Sequence, residues 1–133
     1  MNLRTLDETV DLYELEAYAL QGALQHYLYD VTVRSTLRRV PLAEAMSIKP
    51  VSRVFQRLQR MVQGPWTKPG RNGKRPVPKA RPLRLEYDEL LQLNALHTAG
   101  ELLPILAGHR DPLQVCLGKV NQRVQNLSPL FQV

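Results

Sequence analysis

The sequence predicts a mainly α fold of about five helices with a Pro/Gly-rich basic arm or short β-wing in the middle. Three observations carry this. Apolar residues recur at alternating steps of three and four through most of the chain, the period of an amphipathic helix. Residues 64–82 interrupt that period with five prolines and three glycines, through which no regular helix runs. At 133 residues the chain is the size of one ordinary domain. The expected layout is a single domain, 1–133, with an N-terminal helical segment at 1–39, a central basic unit at 40–85 and a C-terminal helical pair at 86–133.

The first helix is expected from Leu6, Val10, Tyr13, Ala17, Leu20, Leu24, Tyr27 or Leu28, and Val31. Thr5 and Glu8 have the spacing of a capping box at its start, and Asp7 and Glu8 suit the positive end of a helix dipole. Such a heptad stripe either lines the core or pairs with a second copy as a homodimer through residues 6–31. Past Asp30 the pattern loosens into a connector. Pro41 then opens a short helix at 42–46, and Ser47-Ile48-Lys49-Pro50 reads as a turn. The next helix has Val51, Val54, Phe55, Leu58, Met61 and Val62 on one face, with Arg53, Arg57 and Arg60 elsewhere, and ends at Gly64.

Within the arm, 70–74 has the composition of a tight turn, and the alternation Leu83, Leu85, Tyr87 predicts a short strand re-entering the fold. A fourth helix is expected at 87–103, with Gly108 as terminator. Asp111 and Pro112 open a fifth, whose stripe is Leu113, Cys116 or Leu117, Val120, Val124 and Leu127. Residues 50–62 and 112–124 share a pattern of Pro, apolar, two spacers, two apolars, spacer, base, apolar, which fits either a remote duplication or two unrelated amphipathic helices.

An apolar fraction of 44% and a charged fraction of 23% are ordinary for a globular chain and argue against wholesale disorder. The single cysteine, Cys116, has no partner for a disulfide or a CxxC motif and suits a reducing, cytoplasmic setting. Asp7, Glu8 and Asp11 stand where a signal peptide would need bases, so no export is expected. The longest apolar run, 102–107, contains Pro104 and is far shorter than the roughly 20 residues of a membrane span.

The distribution of charge is more informative than the net +6. Residues 1–30 carry one Arg against six acids, and 85–133 carry three bases against five acids. Residues 31–84 hold fourteen Lys and Arg against the single Glu44, a local +13. Segregation of this kind favours polyanions. Nucleic acid is therefore the expected partner.

The stretch 40–58, with Leu42-Ala43-Glu44-Ala45, then Ile48, then Val51-Ser52-Arg53-Val54 followed by bases and Leu58, resembles a bacterial helix-turn-helix. More loosely, the basic turn at 70–74 and the strand at 81–85 resemble the wing of a winged-helix domain. The turn is about two residues shorter than that family's pattern and lacks its glycine. The resemblance implies a DNA-binding regulator of transcription or replication, with DNA favoured over RNA as ligand and 51–62 as the recognition helix. The expected contacts are Arg53, Gln56, Arg57 and Arg60 on that helix, and Lys68, Arg71, Lys74, Arg75, Lys79 and Arg81 along the arm. Trp66 is placed either as a plug of the core or as a platform for an unpaired base. The rival reading is an adaptor or inhibitor, of the type carried by phages and mobile elements, docking on a protein of the transcription or replication machinery.

Enzyme chemistry finds no support in the residues, and neither a metal nor a cofactor is expected. His26, His97 and His109 lack HxH or HExxH spacing, Cys116 lies on an apolar stripe, and Gly70 and Gly73 lack the Lys-Ser or Lys-Thr pair of a phosphate loop. The acids Glu86, Asp88 and Glu89 open a helix, where they complement its dipole.

Overall fold

The computed structural model describes residues 8–37, 42–70 and 73–127. Their order is β1 (Glu8–Leu12), α1 (Glu14–Leu37), α2 (Leu42–Val62), β2 (Thr67–Lys68), β3 (Val77–Pro78), β4 (Arg81–Leu85), α3 (Tyr87–Thr98), a 3₁₀ turn (Ala107–His109) and α4 (Arg110–Leu127). The fold is mainly helical, with four α-helices among the described residues where five were expected.

Helix α1 begins later than expected. Glu8 to Leu12 is a strand because Val10 and Leu12 are buried while Thr9 and Asp11 are exposed, the period of two that one buried face imposes. β4 has the same alternation, with Leu83 and Leu85 buried and Pro82 and Arg84 exposed. The two strands pair antiparallel with Glu8 opposite Leu85, Val10 opposite Leu83 and Leu12 opposite Arg81. Glu8 thus belongs to a strand rather than to a capping box, and Thr5 and Leu6 lie outside the described residues.

The rest of the heptad seam is helical as expected. Ala17, Leu20, Leu24, Tyr27 and Val31 are buried, joined by Ala19 and Ala23, so the face is wide. It packs against α2 and α4 within the same chain. Tyr13, expected on this seam, precedes the helix and is about half exposed.

The turn expected at 47–50 does not form. Helix α2 runs unbroken through Pro50, so the two expected helices are one and the helix-turn-helix reading finds no support in a turn here. The physical reason lies in Ser47. It is fully buried and shares a 2.7 Å hydrogen bond with the Tyr27 hydroxyl, so the buried stripe reads Ser47, Val51, Val54, Leu58, Met61. Those steps of four and three pass straight across the proline. Burial of that stripe against α1 offsets a proline penalty of about 3 kcal/mol.

Helix α3 stops at Thr98, five residues before the expected end. Gly100 takes φ +73°, its N–H donates to His97 O, and Glu101 N–H donates to Leu96 O. This pair of bonds is a Schellman closure, which favours glycine in the left-handed position. Gly100, not Gly108, ends the helix. Helix α4 buries Leu113, Cys116, Leu117, Val120 and Leu127 of the stripe expected of it, with Val124 partly buried beside them.

The chain is built from two similar halves, β1-α1-α2 and β4-α3-α4, whose strands have the same burial pattern and pair about a centre at Val10 and Leu83. Each half has a buried glutamate at the third position of its first helix, Glu16 in α1 and Glu89 in α3. Each glutamate receives a base from the other half's second helix. Lys119 of α4 donates to Glu16 Oε2 at 2.7 Å and to the Asp11 carbonyl at 2.8 Å. Arg57 of α2 donates to Glu89 Oε1 and to the Arg84 carbonyl at 3.0 Å. Arg57 and Lys119 occupy the same place in the pattern shared by 50–62 and 112–124. Matched strands, glutamates and bases favour duplication over coincidence.

Candidate nucleic-acid interface

The described basic segment divides into cations held by the fold and cations that face solvent. β2 and β3 pair antiparallel, Thr67 opposite Pro78 and Lys68 opposite Val77, and the Lys79 N–H extends the pairing with a 2.9 Å bond to Trp66 O. Of the arm or short β-wing expected here, the described residues form a short hairpin. Lys68, Lys74, Arg75 and Lys79 are all exposed on it, and no Asp or Glu occurs anywhere in 45–85. Arg71 lies outside the described residues.

The hairpin is anchored by Arg81. Its guanidinium lies 4.9 Å from the Trp66 ring centroid and donates to the Met61 carbonyl at the end of α2. Gly64 N–H donates to the same carbonyl at 3.1 Å. Trp66 is 7% exposed and its Nε1 donates to Val62 O at 3.4 Å, so the indole plugs the core and shows only a small part of its surface. A Cβ on Gly64 would stand 2.5 Å from Arg81 Nη1. The guanidinium is the far end of a flexible side chain and would swing away, losing the carbonyl and the ring together. Gly64→Ala is therefore expected to lower stability by about 1–2 kcal/mol and to speed tryptic cleavage after Lys74 and Lys79, the hairpin lysines not followed by proline. Unchanged cleavage kinetics would show that Arg81 does not anchor the hairpin.

Arg53 and Arg57, two of the expected nucleic-acid contacts, are both engaged by the start of α3. Arg53 Nη2 donates to Asp88 Oδ2 at 2.5 Å, Nη1 lies 3.5 Å from Glu86 Oε2, and Nε lies 3.2 Å from Glu89 Oε2 without hydrogen-bond geometry. Partial burial pulls the Arg53 guanidinium down, but the bond to Asp88 and the charges of Asp88, Glu89 and Glu86 outweigh it and hold its pKa above the usual value. Glu89 is fully buried, and it also accepts from the Glu86 N–H at 2.8 Å. These acids thus bind two arginines in addition to opening the helix. Of the α2 residues expected at a ligand, Gln56 and Arg60 are exposed without an ion pair among the described residues, and Arg53 is exposed but ion-paired.

Sequence reasoning missed Glu16, Glu89 and Lys119. The signal was the acid at the third position of each first helix, four residues after the strand's last buried leucine, Leu12 or Leu85.

A cleft of about 310 Å³ lies at the hairpin's base, lined by Tyr13, Glu14, Leu15, Trp66, Thr67 and Pro78. Tyr13 and Leu15 on its wall are 48% and 59% exposed. A second apolar area follows α3, where Leu103, Ile105 and Leu106 are more than half exposed.

No group of three or more metal-ligating side chains occurs among the described residues. Burial pushes the Cys116 thiol up to about 12, with the Glu16 charge adding to the rise, so the thiolate needed of a nucleophile is not populated near neutral pH. No helix among the described residues is long and apolar enough to cross a membrane. Compared with family models, curated proteins and solved structures, the chain matches none.

Proposed function

We propose that this chain is a non-enzymatic nucleic-acid-binding protein, acting as a small regulator of transcription or replication, that engages its ligand with the β2–β3 hairpin rather than with a recognition helix. The observation carrying this is the hairpin itself, which presents Lys68, Lys74, Arg75 and Lys79 to solvent on a segment without a single acid. Arginines already bound to carboxylates have lost the field that would draw a phosphate. Free cations on a projecting ribbon keep theirs. Arg60 and Gln56 on α2 supply further polar contacts.

The test is a titration of the protein against DNA at several salt concentrations, repeated with Lys68, Lys74, Arg75 and Lys79 all changed to Gln. If each contacts one phosphate, the slope of log affinity against log salt should flatten by about 3 to 4, at roughly 0.7 to 0.9 per phosphate. A variant that keeps the wild-type slope would remove the hairpin from the interface. A second reading, a protein-binding adaptor, is favoured by Leu103, Ile105 and Leu106, which form an exposed apolar loop remote in sequence from the basic segment.

A further inference from the structure

We infer that the cleft at the hairpin's base seats one unpaired nucleobase, which makes single-stranded nucleic acid the ligand class; this rests on the nucleic-acid reading of the hairpin. The cleft and the cationic ribbon are one structure. Thr67 and Pro78, the first pair of the ribbon, are also cleft walls, and Lys68 and Lys79 are their immediate neighbours in the chain. A strand whose phosphates follow those lysines has its bases within reach of Tyr13.

The lining suits a base and not a phosphate. Tyr13, Leu15, Trp66 and Pro78 present apolar surface, and the ring of Tyr13 is half exposed. Glu14, the acid on the wall, repels a phosphate but accepts hydrogen bonds from the N–H edges of a base. Each aromatic has a cation beside it, Arg81 at 4.9 Å from the Trp66 centroid and Lys119 at 5.7 Å from that of Tyr13. A volume near 310 Å³ is ample for one base. In a duplex the bases are paired and stacked inside the helix, whereas a single strand can turn one outward at low cost.

Trp66 is the chain's sole tryptophan, so its fluorescence reports the cleft wall directly. Four probes are titrated into the full chain: a mixed-sequence single-stranded 12-mer, the matching duplex, an abasic 12-mer with the same phosphates, and a proline-rich peptide. The single strand is expected to bind about ten-fold more tightly than the abasic strand and to shift the Trp66 emission, whereas duplex and abasic strand bind in a salt-sensitive way and leave it unmoved. Tyr13→Leu, which keeps an apolar side chain at an exposed position, should erase that ten-fold margin while the abasic affinity and the thermal midpoint stay as in wild type. Equal affinity for the three nucleic-acid probes with a silent Trp66 would overturn the cleft assignment and leave the hairpin reading standing. Failure of every probe to bind would remove both. An emission shift with a proline-rich peptide and not with the single strand would make the cleft a peptide groove and overturn the inference.

Discussion

Leu20→Asp is expected to abolish cooperative unfolding. Leu20 has no exposed surface and lies mid-way along the face that α1 packs against α2 and α4, so the substitution buries a carboxylate among apolar side chains. A polar group buried without a partner costs roughly 2–7 kcal/mol and a charge more, against a total stability of about 5–15 kcal/mol for a domain. Loss of the sigmoidal urea transition, followed by circular dichroism, is the outcome that fits the structure. A folded variant with a wild-type midpoint that has lost self-association would instead place the seam between two copies.

Arg57→Ala is expected to cost about 3 kcal/mol, because it leaves the Glu89 carboxylate buried with Arg53 as its remaining nearby cation. The more telling comparison is the double variant Arg57→Met with Glu89→Leu, which removes charge and counter-charge together. It should lose far less than Arg57→Ala, since the penalty comes from the uncompensated charge and not from the absence of an ion pair. Removing Lys119 should cost less than removing Arg57, about 1 kcal/mol, because its side chain is 35% exposed and water reaches the pair. Equal losses for Arg57→Ala and the double variant in urea titrations would contradict this account.

What could be read from the chain followed from how local each signal was. The stripes of α1 and α4, the re-entrant strand near Leu83 and Leu85, and the break at 64–82 depend on neighbouring residues and were legible. β1 was misread because Val10 fits both a helical step to Tyr13 and an alternation with Leu12, and only the strand across from it decides. The unbroken α2 was missed because Ser47 was counted as a turn residue; with the Tyr27 hydroxyl as partner it belongs to the core face. For the candidate interface, composition located the cations but not their partners. Arg53 and Arg57 meet Asp88 and Glu89 across more than thirty residues of chain, and no pattern within α2 announces that. Trp66 was left open between plug and platform, and the depth of its burial makes it a plug.

The exchange of strands and bases between the two halves has a consequence for the order of events when the chain is made. Val10 meets Leu83 across more than seventy residues, and Glu16 meets Lys119 across 103. A ribosome releasing the chain from its N-terminus therefore presents Val10, Leu12 and the apolar face of α1 well before β4 and α4 exist to cover them. Closing a loop of that length carries an entropic cost of about 4 kcal/mol beyond the constant term, and no contact offsets it until both strands are present. Helices α1 and α2, adjacent in the chain, can associate early. The β1–β4 pair and both glutamate clamps come late, so refolding is expected to be slower than for a helical bundle whose contacts are all between neighbours.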